Sequence, residues 1–276
     1  MAVCSLAADE PLQVVDLPDP SCNRYRDANI PRVANLTETL MDDALHTLIQ
    51  DFAKEKHKVS RKNINIPSGK AGEIVVELER RLIMGYYKAG ENLSFKMLAD
   101  TFDVSRQPVS SAIGHLRASG YVEVLPQVGC RVVKPSREEL FDFFRMHAAI
   151  EAIAVELAVE RMTQAELEHL LSIKPVSSGN LDKVPERAAY IRYIDTFHDQ
   201  IWLMAKAPML EGQFSGLRNL ASFYLWQGIP SLALQVAETL NQQRERIAAS
   251  IAAGDREEAP RLMRDHILSK PALIYP

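Results

Sequence analysis

Residues 93–134 read LSFKMLADTFDVSRQPVSSAIGHLRASGYVEVLPQVGCRVVK, and this stretch decides the fold of one part of the chain. A short first helix is predicted from an apolar face made of Leu98, Ala99, Phe102 and Val104. Ser105 is placed to cap a second helix, and Pro108 costs nothing in its first turn because no N–H is bonded there. The second helix has its own apolar face, made of Val109, Ala112, Ile113 and Leu116. Gly120 is placed to end this helix.

A β-hairpin is predicted directly after Gly120. Segments 121–124 and 131–134 alternate as strands, and the turn between them holds Pro126 and Gly129. The second helix also has a polar side, made of Arg106, Gln107, Ser110, Ser111 and His115. A helix, a turn, a second helix with a polar face and a hairpin are the pattern of a winged helix-turn-helix. In that motif the second helix enters the major groove of DNA.

The stretch from about Ala71 to Ser136 resembles the DNA-binding domain of the GntR superfamily. The resemblance rests on VSRQPVSSAIGHLRASGYVEV and on Gly85 and Gly90 in the turn after the preceding helix. Ala89 stands where the family usually has proline. By this resemblance the expected partner is a double-stranded DNA operator, which is bound by a homodimer.

Several DNA contacts are implied by the resemblance, residue by residue. Lys96 would reach the phosphates, and Arg106 would contact a guanine edge or a phosphate. Gln107 would lie near the bases, beside Ser105 at the start of the helix. Gly129 would let the backbone of the wing approach the minor groove. Ser110 stands where the family places a second arginine, so we expect a different operator or a weaker affinity.

The basic charge of the chain is concentrated in the same region. The whole chain has a net charge of −4, but residues 54–137 alone carry +7, with −6 before them and −5 after them. Positive charge on one module steers it toward phosphates. Cys4, Cys22 and Cys130 lack metal-ligand spacing, and the sequence has neither a signal-peptide pattern nor a long apolar run. We therefore expect a cytoplasmic protein that does not enter a membrane.

The first 66 residues are predicted as an extension of the DNA-binding module. Residues 1–34 contain four prolines and predict a flexible tail. Residues 35–66 predict an amphipathic helix followed by a basic linker, and the helix would pack either on its own chain or on a partner subunit. The DNA-binding domain is assigned to residues 67–136.

Residues 137–276 are predicted to form an all-α antiparallel bundle, so the fold class is mainly α. Ser136 is placed to cap its first helix, and Thr163 with Glu166 forms a capping-box pattern for the next. This half resembles the FCD domain of the FadR-type branch of the superfamily, on the segments RMHAAIEAIAVELAVERMT, DTFHDQI and RIAASIAAGDREEAPRLMRDHI. The resemblance implies dimerisation and the binding of a small organic acid, in many members through a divalent metal such as zinc, nickel or manganese.

Only part of the metal pattern of this branch is kept in the sequence. His198 and His266 match two ligand positions, but Ile194 and Arg244 occupy the other two. One interpretation is a weakened metal site made of Asp195, His198 and His266. The other, which we favour, is a metal-free pocket in which Arg244 and the two histidines receive an anionic effector. No cofactor is assigned with certainty.

Three function classes follow from these patterns. The leading hypothesis is a ligand-responsive transcription regulator that acts as a repressor. The second is an architectural DNA-binding protein with a degenerate effector site. The third is a metal-dependent hydrolase, although no nucleophile motif, phosphate loop or HExxH pattern supports an enzyme. Six aromatic residues of the helical half could also line a pocket, although aromatic residues at helical spacing more often form core: Phe197, Trp202, Phe214, Phe223, Tyr224 and Trp226.

Overall fold

The computed structural model of the chain describes residues 66–175, 181, 184–228 and 234–274. The predicted tail 1–34, and the predicted helix and basic linker 35–66 up to its last residue, lie outside the described residues. The described part is mainly α with one small sheet, which confirms the predicted fold class. Among the described helices, none is both long and apolar enough to cross a lipid bilayer.

The first part of the described chain consists of three helices and three short strands. The helices are α1 (Lys70–Ile83), α2 (Phe95–Phe102) and α3 (Arg106–Ala118). The strands are β1 (Asn92–Leu93), β2 (Val122–Leu125) and β3 (Gly129–Val132). The side chain of Ser94 caps α2 by accepting a hydrogen bond from the Met97 N–H. Gly120 follows the end of α3 with a φ of 83°, as predicted for a residue that ends a helix.

The sheet is antiparallel, with β3 in the centre and the order β1-β3-β2. Cys130 of β3 lies opposite Leu93 of β1 on one side and Val124 of β2 on the other. The hairpin of β2 and β3 confirms the predicted wing, although β3 begins two residues before the predicted 131–134. Strand β1 was not predicted, because two residues are too short to show an alternating pattern.

The core of this first part lies between α1 and α3. Leu78 and Leu82 of α1 pack with Val109, Ile113 and Leu116 of α3, and all five are buried. The apolar face predicted for the second helix is therefore the face that it buries. The remaining polar side of α3 is left at the surface.

The rest of the described chain is helical. It contains α4 (Arg137–Arg161), α5 (Gln164–Ser172), α6 (Val184–Ala205), α7 (Pro208–Gly228), α8 (Leu234–Ala252), α9 (Glu258–Leu268) and α10 (Lys270–Ile274). Ser136 and Thr163 each cap a helix in a full capping box, with Glu139 and Glu166 as the reciprocal partners. These are the two helix starts that the sequence predicts most sharply.

Helix α7 joins two hydrophobic cores. Its residues Leu220, Phe223 and Trp226 belong to the apolar cluster that also contains the core of α1 and α3. Ala221 of the same helix belongs to a second cluster, formed mainly by α4, α6, α8 and α9. The winged module is thus packed against the bundle through α7.

Candidate functional site

The polar face of α3 is the first candidate site. Ser105, Arg106, Gln107 and Ser110 are exposed, as is Lys96 at the start of α2. These positions share one side of the module because their apolar neighbours in the same helices face the core. The guanidinium carbon of Arg106 lies 5.2 Å from the centre of the Phe95 ring. This contact holds the arginine at the start of α3.

Ser105 precedes α3 as predicted, but its side chain makes no capping hydrogen bond. The first N–H groups of α3 are consequently not satisfied by that hydroxyl. An uncapped helix N-terminus carries partial positive charge and suits a phosphate oxygen. The prediction that the Ser105 side chain caps α3 is therefore wrong, although the predicted start of the helix is correct.

Gly129 is buried, and its own packing explains why it is glycine. A Cβ atom at this position would lie 2.2 Å from the backbone oxygen of Leu93, and φ is 148°. The close approach of β1 to β3 thus requires glycine, whatever the wing does on DNA. The exposed end of the wing is instead formed by residues 126–128, where Val128 is 61% exposed.

A small cavity inside the helical bundle is the second candidate site. Its ionisable lining residues are His147, Asp195, His198, Arg218, Arg244 and Lys270. These residues come from α4, α6, α7, α8 and α10, so the cavity lies where five helices meet. Its volume of about 20 Å³ leaves room for little more than an ordered water. A larger molecule enters only if a wall moves.

Glu151 is a buried carboxylate next to this cavity. Its Oε2 atom lies 2.9 Å from Nδ1 of His198, and its Oε1 atom accepts a hydrogen bond from Trp202 Nε1 at 3.1 Å. His147 Nε2 lies 3.5 Å from Oε1. Burial favours the neutral acid, but the neighbouring histidines outweigh it and hold the pKa of Glu151 well below its usual range. Glu151 is therefore ionised.

The Glu151 carboxylate fixes the proton of His198. Burial lowers the pKa of His198 to about 4, so the ring is neutral near pH 7. Nδ1–H donates to the carboxylate, which leaves the lone pair on Nε2. His266 is arranged in the same way, since its Nδ1 lies 2.7 Å from the Gln243 side-chain oxygen and burial lowers its pKa well below normal. Both Nε2 atoms are buried without a hydrogen-bond partner among the described residues.

Three cations line the cavity. Arg218 forms an ion pair with Asp199. Arg244 donates to Asn241 Oδ1 at 2.8 Å, and its Nε atom is buried without a described partner. Lys270 is only 6% exposed, and the residues that the structure describes provide no hydrogen bond or ion pair for its ammonium group. Burial and the charge of Arg244 lower the pKa of Lys270 to about 7.

Comparison with known families assigns both halves of the chain. Residues 70–132 match the family described as bacterial regulatory proteins, gntR family, and residues 142–269 match the FCD domain. The chain belongs to the GntR family. In this GntR-family transcription regulator the first match contains the exposed face of α3, and the second contains most of the residues that line the cavity. The resemblance seen in the sequence is confirmed.

Curated relatives of this GntR-family protein are also transcription regulators. The HTH-type transcriptional repressor GlaR of Escherichia coli (strain K12) is 27% identical over 208 residues, covering 71% of this chain and 92% of that relative. The HTH-type transcriptional regulator LutR of Bacillus subtilis (strain 168) is 24% identical over 204 residues, covering 66% and 91%. The families and relatives are regulators and not enzymes, as the sequence predicts.

Solved structures share the fold. E. coli McbR/YncC matches with a TM-score of 0.58 at 22% identity, over 76% of this chain and 98% of that one. A putative GntR transcriptional regulator from Rhodococcus sp. RHA1 matches with a TM-score of 0.61 at 17% identity, over 75% and 98%. Identities this low show the common fold and leave the effector open.

The cavity of this GntR-family protein does not fit a metal ion. Among the described residues, no three or more His, Cys, Asp or Glu side chains form a group that could hold one. Asp195 and His198 line the cavity, but Ile194 presents an apolar wall and Arg244 a positive charge. A guanidinium repels a metal cation. The set Asp195, His198 and His266 is therefore not assembled as a metal site.

For the six aromatic residues of the helical half the sequence favoured core packing over a pocket, and most of them are core residues. Trp226 lines the cavity, whereas Phe197, Trp202 and Phe223 are buried in the two cores. The helical spacing of these aromatic residues reflects packing in the hydrophobic cores. Sequence reasoning also missed Glu151, Arg218 and Lys270. The spacing of His147 and Glu151, four residues apart on α4, was the one available signal for a buried pair.

Proposed function

We propose that the protein is a ligand-responsive regulator that acts in the cytoplasm. It binds a palindromic operator as a homodimer, represses transcription and responds to a small organic acid in the bundle cavity. The observation that carries this proposal is the exposed polar face of α3, mounted on a buried apolar core. The similarity to a protein named as a transcriptional repressor supports repression rather than activation.

The face of α3 suits the major groove in both shape and charge. Ser110 and Ser111 are small and exposed in the middle of the helix, so the backbone can come close to base edges. Arg106 supplies a bidentate donor at the start of the helix, where Phe95 holds it. Lys96 and the uncapped start of α3 are placed to contact phosphates.

The cavity suits an anion. Arg244 has no carboxylate partner among the described residues, and Lys270 forms no hydrogen bond or close ion pair there, although the Glu151 carboxylate attracts its charge. A buried cation without a counter-ion is costly, and an entering carboxylate removes that cost. This is the physical basis for an organic acid as the effector. The cavity accepts it by displacing water and moving a wall.

Helix α7 connects the cavity to the winged module. Arg218, Ser222 and Trp226 line the cavity, and Leu220 and Phe223 pack on the winged module. The ring of Phe223 lies 5.3 Å from that of Tyr121, in an edge arrangement. A shift of this helix on effector binding therefore changes the position of α3. Operator affinity then depends on the differential binding of the effector to the two arrangements.

The exposed face of α4 supports a homodimer. Met146 and Ile153 are 47% and 46% exposed, and they lie seven residues apart, on one side of the helix. Exposed apolar side chains in a row are typical of an association surface. A second copy bound there supplies a second winged module, and a palindromic operator requires one module for each of its two half-sites.

The test is operator binding by a matched pair of variants. The full chain is first used to select duplexes from a random pool, and fluorescence anisotropy is then measured on the selected duplex. Arg106→Ala is expected to weaken binding about 5- to 150-fold, since loss of a bidentate base contact costs about 1–3 kcal/mol. Arg256→Ala, exposed in the turn between α8 and α9, is the control and should bind like the wild type.

Two results would contradict the proposal. The selected duplex could lack an inverted repeat, which would argue against a symmetric dimer. Arg106→Ala could also retain full affinity, which would remove α3 from the DNA interface. Unchanged operator affinity with every organic acid tested would favour the architectural protein.

A further inference from the structure

Two arginines of the winged module lie over phenylalanine rings of α2, and they differ in what else they contact. The guanidinium carbon of Arg81 lies 5.2 Å from the centre of the Phe102 ring, and that of Arg106 lies 5.2 Å from the centre of the Phe95 ring. Arg81 also donates a hydrogen bond to the Glu77 carboxylate at 2.6 Å. Arg106 forms no hydrogen bond or ion pair with any residue that the structure describes. Within that part of the chain, the Phe95 ring is therefore its specific support.

A ring supports an arginine in a way that suits the recognition of DNA. A carboxylate partner uses N–H groups of the guanidinium and neutralises its charge, as Glu77 does for Arg81. The face of an aromatic ring attracts the cation but leaves its N–H groups available to other acceptors. Arg106 consequently keeps its hydrogen-bonding capacity for a base edge while its position is restricted.

Phe95 is itself fixed within the module. It is the first residue of α2, directly after Ser94, whose hydroxyl accepts a hydrogen bond from the Met97 N–H at 3.0 Å. Its side chain is partly buried and packs against the apolar cluster that contains Leu98 and Val109. Because the core of the module holds the ring, the arginine that lies over it has fewer conformations to lose when it binds.

We propose that Phe95 determines how selectively Arg106 reads its base pair in the operator. The ring orients the guanidinium toward a base edge, so the cost of ordering a long side chain offsets less of the bidentate contact. Without the ring, Arg106 reaches the phosphates as readily as the base edge, and phosphates carry no sequence information. This inference rests on the proposed function and adds Phe95 as a positioning residue, which acts through Arg106.

The experiment removes each of the two rings in turn. Phe95→Leu and Phe102→Leu both exchange a partly buried phenylalanine of α2 for a smaller apolar side chain, and each takes a ring away from one arginine. Fluorescence anisotropy of the full chain is measured on the selected operator, on duplexes with one base pair changed in each half-site, and on an unrelated duplex. The base pair that Arg106 reads is the one at which the wild type discriminates and Arg106→Ala does not.

The two leucine variants are expected to behave differently. Phe95→Leu should lower the discrimination at that base pair by about two- to fivefold for each half-site, and should leave the affinity for the unrelated duplex unchanged. Phe95→Tyr keeps a ring under the arginine and should keep the discrimination. Phe102→Leu should discriminate like the wild type, because Arg81 remains bonded to Glu77.

A double-mutant cycle separates positioning from a general effect on the fold. In the Arg106→Ala background, Phe95→Leu should cause no further change on any duplex, because no arginine is left to position. Phe95→Met repeats the comparison with an unbranched side chain. Urea unfolding checks that each variant is folded under the conditions of the binding assay.

Three outcomes would overturn the inference. These are full discrimination by both Phe95→Leu and Phe95→Met, an equal loss of affinity for the operator and the unrelated duplex, and a further loss when Phe95→Leu is added to Arg106→Ala. If Arg106→Ala loses discrimination at one base pair while Phe95→Leu keeps it, the proposed function stands and this inference fails. If Arg106→Ala discriminates like the wild type at every base pair, both fail, because α3 does not read the operator through this arginine.

Discussion

The side-chain amide of Gln227 donates a hydrogen bond to the backbone carbonyl of Leu82 at 3.0 Å. The same amide nitrogen donates to the Tyr87 carbonyl at 2.6 Å, and its oxygen accepts from the Ala89 N–H at 3.0 Å. Gln227 lies near the end of α7, next to Trp226, which lines the cavity. One glutamine therefore ties the turn after α1 to the helix that forms one wall of the proposed effector site.

Replacement of Gln227 by alanine should weaken this attachment. The Tyr87 carbonyl and the Ala89 N–H lose their partner, whereas the Leu82 carbonyl keeps its hydrogen bond from the Gly85 N–H. Partly buried groups left unpaired cost about 1–3 kcal/mol. We expect a lower midpoint in urea unfolding and a smaller effect of the effector on operator affinity, measured by anisotropy. Gln213→Ala, at an exposed position of the same helix, is the matched control. Identical behaviour of the two variants would show that Gln227 does not couple the sites.

Replacement of Lys270 by methionine should stabilise the ligand-free protein. The pKa of Lys270 falls from its ordinary value of 10.5 to about 7 on folding, because burial and Arg244 disfavour the charge. Below pH 10.5 the unfolded chain binds a proton more readily than the folded one, so the lysine destabilises the fold increasingly down to pH 7. The expected gain for the methionine variant is on the order of 4 kcal/mol at pH 7 and shrinks toward pH 10.5.

Urea unfolding at pH 7 and at pH 9 measures this difference. Lys174→Met, at an exposed position, provides the control and should change stability little at either pH. A methionine variant that is less stable than the wild type at pH 7 would show that Lys270 has a favourable partner in the folded state. A stabilised variant that has also lost ligand affinity would mark Lys270 as a residue kept for binding.

The sequence was sufficient for the fold and for the exposed polar face of α3, but not for the cavity. The positions of Arg106 and Ser110 follow from helical spacing, because each exposed residue is fixed by the buried Val109 and Ile113 of the same helix. The starts of α4 and α5 follow from local capping chemistry at Ser136 and Thr163. Such signals depend only on residues that lie a few positions apart in the sequence.

The cavity has no comparable local signal. Glu151 meets His198 across 47 positions of sequence, and Lys270 reaches the site from a helix of five residues. Their proximity depends on how α4, α6 and α10 pack, which no spacing within one helix determines. The sequence showed that the metal pattern was broken at Ile194 and Arg244, but the unpartnered donors and the histidine acceptor become visible only in three dimensions.

Replacement of Gly129 by alanine separates two explanations for this glycine. The added Cβ would lie 2.2 Å from Leu93 O, at a backbone φ of 148° that disfavours other residues. Steric overlap and strain of this kind cost about 2–4 kcal/mol. We expect a lower thermal midpoint for the winged module, seen by circular dichroism with and without DNA. A normal midpoint combined with weaker DNA binding would instead support the predicted approach of Gly129 to the minor groove.

Gly114→Ala is the control for this substitution. Its Cβ would meet no atom within 4 Å, and the position lies inside α3, so alanine should stabilise the helix by about 0.5–1 kcal/mol. Because residue 114 is exposed on α3, any loss of operator affinity in this variant reports on the closeness of the helix to the groove.

Replacement of Ile153 by aspartate should separate the proposed dimer. Ile153 is 46% exposed on α4, and a carboxylate in an apolar subunit contact would be buried without a partner. We expect analytical ultracentrifugation to show a monomer, and operator affinity to fall because one subunit contacts only one half-site. Glu156→Asp, at an exposed acidic position of the same helix, is the control and should remain a dimer. An Ile153→Asp variant that still sediments as a dimer would place the subunit contact elsewhere, whereas a monomer with unchanged thermal stability would assign it to this face of α4.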